Sequence, residues 1–156
     1  MNIFNKIFKR NEKPVEPKSE EKFSFNNAIE HYKRIGVNVA SGVSNNEIEE
    51  VQNKLDFKFP ADFKEFHSLC NGFLEWDMDN NNFSIWTFER MIEEYEKEKK
   101  QDYDFIPICD YLINSHRFGY IRDEEGIFKD FDRKVAIAKN FEDFLKLLLS
   151  DSEKLY

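Results

Sequence analysis

Long apolar runs are missing from this sequence. No segment approaches the roughly 18 consecutive apolar residues that a membrane-spanning helix needs, so no membrane span is expected. Cysteine is scarce as well. Cys70 and Cys109 are the only two, and they lack the paired spacing of a disulfide framework or a zinc motif, so they read as buried free thiols of a reducing compartment. The five glycines form no phosphate-cradling loop, and no G-x-S-x-G is present. Neither catalytic residues nor a cofactor are therefore expected. The start, MNIFNKIFKR, has no continuous apolar core and no small-residue cleavage site, which argues against a secretory signal and for a cytoplasmic protein.

An excess of basic charge is also lacking. The formal net charge is −8, unevenly spread. Residues 1–22 hold six Lys+Arg against four Asp+Glu, whereas the remainder holds 17 against 27, a net −10. An acidic body repels phosphate backbones, so no direct nucleic-acid partner is expected. It attracts a basic protein, a basic nuclease included.

Aromatic residues are plentiful. Seventeen Phe within 156 residues are enough for one well-filled core, and the chain length fits a single domain. NEKPVEPKSEEK, with its prolines and alternating charges, reads as a flexible arm over 1–22, ahead of a domain over 23–156. Ser24 can cap a first helix bearing Phe25, Ala28, Ile29 and Tyr32, with Gly36 as its stop. Ser44 and Glu47 form an S-x-x-E capping box, with Val43 and Ile48 placed as its hydrophobic staple. Pro60 suits the first position of a third helix carrying Phe63, Phe66, Leu69 and Cys70, and Gly72 suits a left-handed cap at its end.

Beyond Gly72 the pattern changes. FLEW and FSIW flank DMDNNN as a hairpin, and Thr87 caps a helix with Phe88, Met91, Ile92 and Tyr95. FIPIC is a strand in which Pro107 requires an edge or a bulge. RFGYIR and GIFKDF flank DEEG as a second hairpin, KVAIA is a last strand, and Asn140 caps FEDFLKLLL. The order predicts an α+β single domain, a mainly antiparallel sheet flanked by about four helices.

Three chemical constellations fall short. Asp77, Asp79 and Asn81 take positions 1, 3 and 5 of a calcium loop, but Asn82 replaces the required Gly and Phe88 the bidentate Glu. His67 and Cys70 share one helix face, yet zinc needs more ligands than Cys109 and His116 can add as a motif. The abundant carboxylates read as a solvated face, so no metal is expected. Better candidates are residues for partner binding: the acidic turn Asp123, Glu124 and Glu125, and Trp76, Asp77 and Asp79 around the polar tip. Trp86 reads as core.

FPADFKEFHSLCNGF resembles the LPxDYxxFLxxxNGG signature of the SUKH superfamily, which includes the yeast cell-wall assembly regulator and many bacterial immunity proteins. SNNEIEEVQNKLDFKFP before it, FIPICD, and IAKNFEDFLKLLL, similar to IAxSFxEFLxxLL, extend the resemblance from Val43 to Leu149. Phe59 and His67 stand where Leu is usual, and Phe73 replaces the second Gly. The resemblance implies the SUKH fold, in which helices flank a sheet, and a non-enzymatic protein that works by binding other proteins. The leading expectation is an immunity protein that neutralises a cognate protein toxin; the alternative is a scaffold or regulatory module. Deletion of residues 1–22 removes little that can be buried, so the truncated protein is expected to keep its melting temperature in a thermal denaturation scan.

Overall fold

The computed structural model describes residues 22–156; the flexible arm expected at 1–22 lies, all but its last residue, outside the described residues. Five α-helices and four strands follow: α1 Phe25–Arg34, α2 Asn45–Leu55, α3 Ala61–Leu69, β1 Phe83–Ile85, α4 Phe88–Glu98, β2 Phe105–Tyr111, β3 His116–Ile121, β4 Phe128–Lys129 and α5 Phe141–Leu149. The strands pair antiparallel in the order β1-β2-β3-β4, so the domain is α+β.

Helix starts obey local chemistry. Ser24, Ser44, Thr87 and Asn140 each accept a hydrogen bond from a backbone N–H of the first turn they precede, and Ser44 with Glu47 completes a capping box. Gly36 (φ 92°) closes α1 in a Schellman arrangement, with the Gly36 N–H donating to Lys33 O and the Val37 N–H to Tyr32 O.

The third helix differs from its sequence reading in three ways. Pro60 stands at the N-cap, one residue before the helix, and makes no side-chain cap. The buried stripe is Phe63, Phe66 and His67, while Leu69 is exposed. Cys70 ends the helix in an extended conformation, so Gly72 (φ 80°) is not the helix cap. Gly72 is needed because a Cβ there would lie 2.5 Å from Trp86 O, at the end of β1.

Two expected strands are absent. FLEW forms a 3₁₀ turn, Leu74–Trp76, with Glu75 and Trp76 both at positive φ, so no FLEW–FSIW hairpin exists. β1 pairs with β2 instead, and Phe73 meets the other edge of β1 through its N–H to Ile85 O. KVAIA makes only an isolated bridge, Ile127 to Ala138, with Val135 standing in solvent. An alternating pattern needs a free strand edge to pair with, and this segment meets β4's neighbour at a single point. Pro107 sits in the central strand at a bulge, where the register shifts between Pro107 and Cys109; its missing N–H is thereby accommodated.

Strand alternation gives the sheet two unlike faces. Phe83, Cys109 and Phe118 point to one face, where Phe118 meets Phe144 of α5 at 5.5 Å and α3 packs between α1 and α5. Ser84, Asp110 and Arg117 point to the other, which α4 crosses: Arg90 reaches Ser84 and Asp110, and Glu98 reaches Arg117. Cys70 and Cys109 are both free and buried.

His67 ties the helices together from inside the core. Its ring stacks on Phe88 at 4.2 Å, and Nδ1 bonds Asn71 Oδ1, which also accepts the Phe88 N–H while Asn71 Nδ2 donates to Glu89. Burial pushes the imidazole down to about 4 from an ordinary 6.5. Above pH 6.5 the ring is neutral in both folded and unfolded chains. As pH falls from there towards 4, only the unfolded chain takes the proton, so stability is lost across that window, by roughly 3 kcal/mol in total. Denaturant melts at pH 7 and pH 4.5 are expected to show a smaller difference for His67→Leu than for the natural protein.

Candidate protein-binding surface

The fold gathers its polar side chains around one carboxylate. Asp110, on the central strand, is 1% exposed. Its Oδ1 accepts the Trp86 Nε1–H at 2.7 Å, and its Oδ2 accepts Arg90 at 2.9 Å and the Asn114 N–H at 2.5 Å. The Arg90 guanidinium in turn lies over both tryptophans, 3.9 Å from the centre of Trp76 and 4.2 Å from that of Trp86. Trp86 is fully buried, as its alternation with Phe and Ile implies; Trp76 remains 42% exposed.

The Asn114 bond holds an unusual hairpin tip. Leu112, Ile113 and Asn114 all have positive φ (48°, 49° and 62°), a conformation that a β-branched residue resists. The Leu112 N–H donates to Asn82 O and the Ser115 N–H to Tyr111 O, which fixes the turn. Leu112 and Ile113 nevertheless stand in solvent. Trp76, Leu112 and Ile113 thus make an apolar display at the Asp110 end of the sheet.

The expected residues around DMDNNN divide by burial. Asp77 is half-buried and its Oδ2 accepts the Asn38 N–H at 2.7 Å. Asp79 is buried, and its Oδ1 accepts the N–H groups of Asn81 and Phe83. Burial raises its carboxyl above the usual range, against the pull of those amides. Asp79 therefore organises its own loop through these bonds.

Asp123, Glu124 and Glu125 are all exposed, on the turn between β3 and β4, and no ion pair engages them among the described residues. They border a groove of about 790 Å³ whose opposite side is the end of α2, with Phe57, Tyr103 and Tyr120 among its walls. Arg122 joins the two sides. It donates to Leu55 O and Asp56 O, the carbonyls at the negative end of α2, and to Tyr103 O and the Tyr95 hydroxyl. Its charge is thereby committed to the scaffold.

The two sets of candidates do not meet. The acidic turn follows Ile121, paired with Phe105, whereas Trp76 and the hairpin tip belong to the end where Tyr111 pairs with His116. Six residues of extended strand put about 20 Å between them. Sequence reasoning missed Arg90, Asp110, Arg122, Leu112 and Ile113. The one available signal was YLINSH, an apolar pair inside a polar turn.

A family model describing the SMI1/KNR4 family (SUKH-1) matches residues 42–147, which include the tip, Asp110 and the groove. The chain belongs to the SMI1/KNR4 family. No curated protein matches it. SMI1/KNR4 membership supports a protein-interaction domain in general terms, and no helix among the described residues is long and apolar enough to cross a membrane.

Replacing Asp110 by Asn keeps the side-chain shape but leaves the Arg90 cation, 7% exposed, without its counter-charge. Asp110→Asn is expected to cost roughly 3 kcal/mol in urea denaturation. A double-mutant cycle with Arg90→Met should show strong coupling, because removing both charges removes the unpaired one.

Proposed function

We propose that this SMI1/KNR4-family chain is a cytoplasmic, non-enzymatic immunity protein that binds and neutralises a cognate protein toxin. A basic nuclease is the favoured class of partner. The observation that carries this reading is charge: 17 Lys+Arg against 27 Asp+Glu from residue 23 onward, with Asp123, Glu124 and Glu125 unpaired among the described residues. Occlusion is then steric and electrostatic: an acidic surface covers a basic cleft and excludes water and substrate from it. In this reading residues 23–156 are the binding domain.

A second reading, a scaffold or regulatory module, has its own supporting observation. Trp76, Leu112 and Ile113 form a display without net charge, suited to a partner that is not basic.

The test is co-expression with a basic toxin domain, followed by binding kinetics across salt concentrations. Attraction between exposed charges is screened beyond a Debye length of about 10 Å at 0.1 M salt and acts mainly on association. The association rate is expected to fall steeply with salt while dissociation changes less. Failure to rescue growth or to bind would favour the scaffold reading, and rescue with a flat salt dependence would remove the electrostatic mechanism.

A further inference from the structure

We propose that the groove between the end of α2 and the Asp123–Glu125 turn seats a lysine or arginine side chain, carried on an exposed segment of a protein partner. This rests on reading the chain as a binder of basic protein surface; it does not require that partner to be a toxin.

Three independent observations converge there. First, the rim is acidic in effect as well as in composition. Asp123, Glu124 and Glu125 are exposed and enter no ion pair among the described residues, whereas the cation nearest them in sequence, Arg122, is spent on the carbonyls of Leu55 and Asp56. Of the other lining cations, Lys58 reaches Glu49 at 3.5 Å, while Lys139 is exposed and enters no ion pair among the described residues, so the three rim carboxylates outnumber the one free lysine. Second, the walls are aromatic. Phe57 and Tyr120 stack at 5.5 Å, and Tyr103, 48% exposed, already holds the Arg122 guanidinium 4.0 Å from its ring centre. Aromatic faces with carboxylates at the rim are the chemistry that recognises a cationic side chain with a long apolar stem.

Third, the groove contains an unmet hydrogen-bonding group. Tyr120 lines it, is 3% exposed, and its hydroxyl has no partner among the described residues. A buried hydroxyl without a bond inside the fold keeps its capacity to accept one. The hydroxyl lies beneath the groove surface, so an ammonium or guanidinium donates to it only once the side chains above it shift. A volume of about 790 Å³ exceeds one side chain and admits the neighbouring backbone too, so the occupant is an extended segment presenting its cation into the groove.

The experiment is a nuclear magnetic resonance titration of the isotope-labelled full-length chain with the blocked peptide Gly-Gly-Lys-Gly-Gly, its Arg counterpart, and a Glu counterpart as control. The expected result is a set of amide shifts confined to residues 56–60 and 120–126 with the Lys and Arg peptides. The triple variant Asp123→Asn, Glu124→Gln, Glu125→Gln should lose them. Tyr120→Phe should weaken binding about fivefold with an unchanged melting temperature, since the hydroxyl supports nothing inside the fold. Equal shifts with the Glu peptide, shifts spread over α1 and α5, or variants that bind like the natural chain would each overturn the proposal. So would shifts that grow with protein concentration alone, which would assign the groove to a second copy. No toxin enters the titration, so groove binding intact alongside failed toxin rescue supports this proposal and sinks the immunity reading alone.

Discussion

Asp110 imposes the strictest constraint on this molecule. A carboxylate taken out of water costs several kcal/mol unless it is paired and its remaining lone pairs are bonded. Here one oxygen is held by an indole N–H, the other by a guanidinium and a backbone amide. Those donors come from the end of β1, from α4 and from the β2–β3 tip, so satisfying one side chain settles where three elements sit. Trp76 joins by lying over Arg90, which explains why Glu75 and Trp76 accept left-handed backbone conformations. The same turn is also held by the Leu74 N–H to Asn38 O and the Asp77 N–H to Leu74 O.

How much was legible in the sequence follows from how local each cause was. The caps at Ser24, Ser44, Thr87 and Asn140 involve residues three apart, and all four were readable from spacing. The acidic turn was equally readable, because a β3–β4 hairpin needs only its own flanking strands. KVAIA, by contrast, alternates like a strand but pairs only at the bridge of Ala138 with Ile127, and its own alternation cannot show how short that pairing is. FLEW has strand composition, yet Arg90, fourteen residues beyond its tryptophan, draws that ring into a turn. His67 offers no burial signal in its spacing, since imidazole usually sits at a boundary; the packed rings of Phe63 and Phe88 make it core. The Asp110 network was invisible for the same reason: nothing in FIPICDY says which residues will surround its aspartate.

The two ends of the sheet present unlike surfaces. At one, a tip whose backbone is fixed by Asp110 and Asn82 displays Leu112 and Ile113; at the other, unpaired carboxylates border an aromatic groove. Both lie within the segment that matches the SMI1/KNR4 family. A rigid display and a charged rim contribute differently to recognition. Apolar anchors govern how long a complex lasts, and exposed charges govern how fast it forms. Asp110 fixes the first end, and Arg122 separately fixes the second.

The groove has a consequence for folding order. The hairpins β2–β3 and β3–β4 close short loops, so their contacts cost little chain entropy and form early. The groove instead joins Arg122 to carbonyls 66 and 67 residues away in the chain. Its two sides meet only when α2 has docked on the completed sheet. A partner held between them therefore recognises the finished fold and no partial one, and by linkage its binding raises the stability of the whole domain. The proposed site would thus be absent from a chain that has not finished folding.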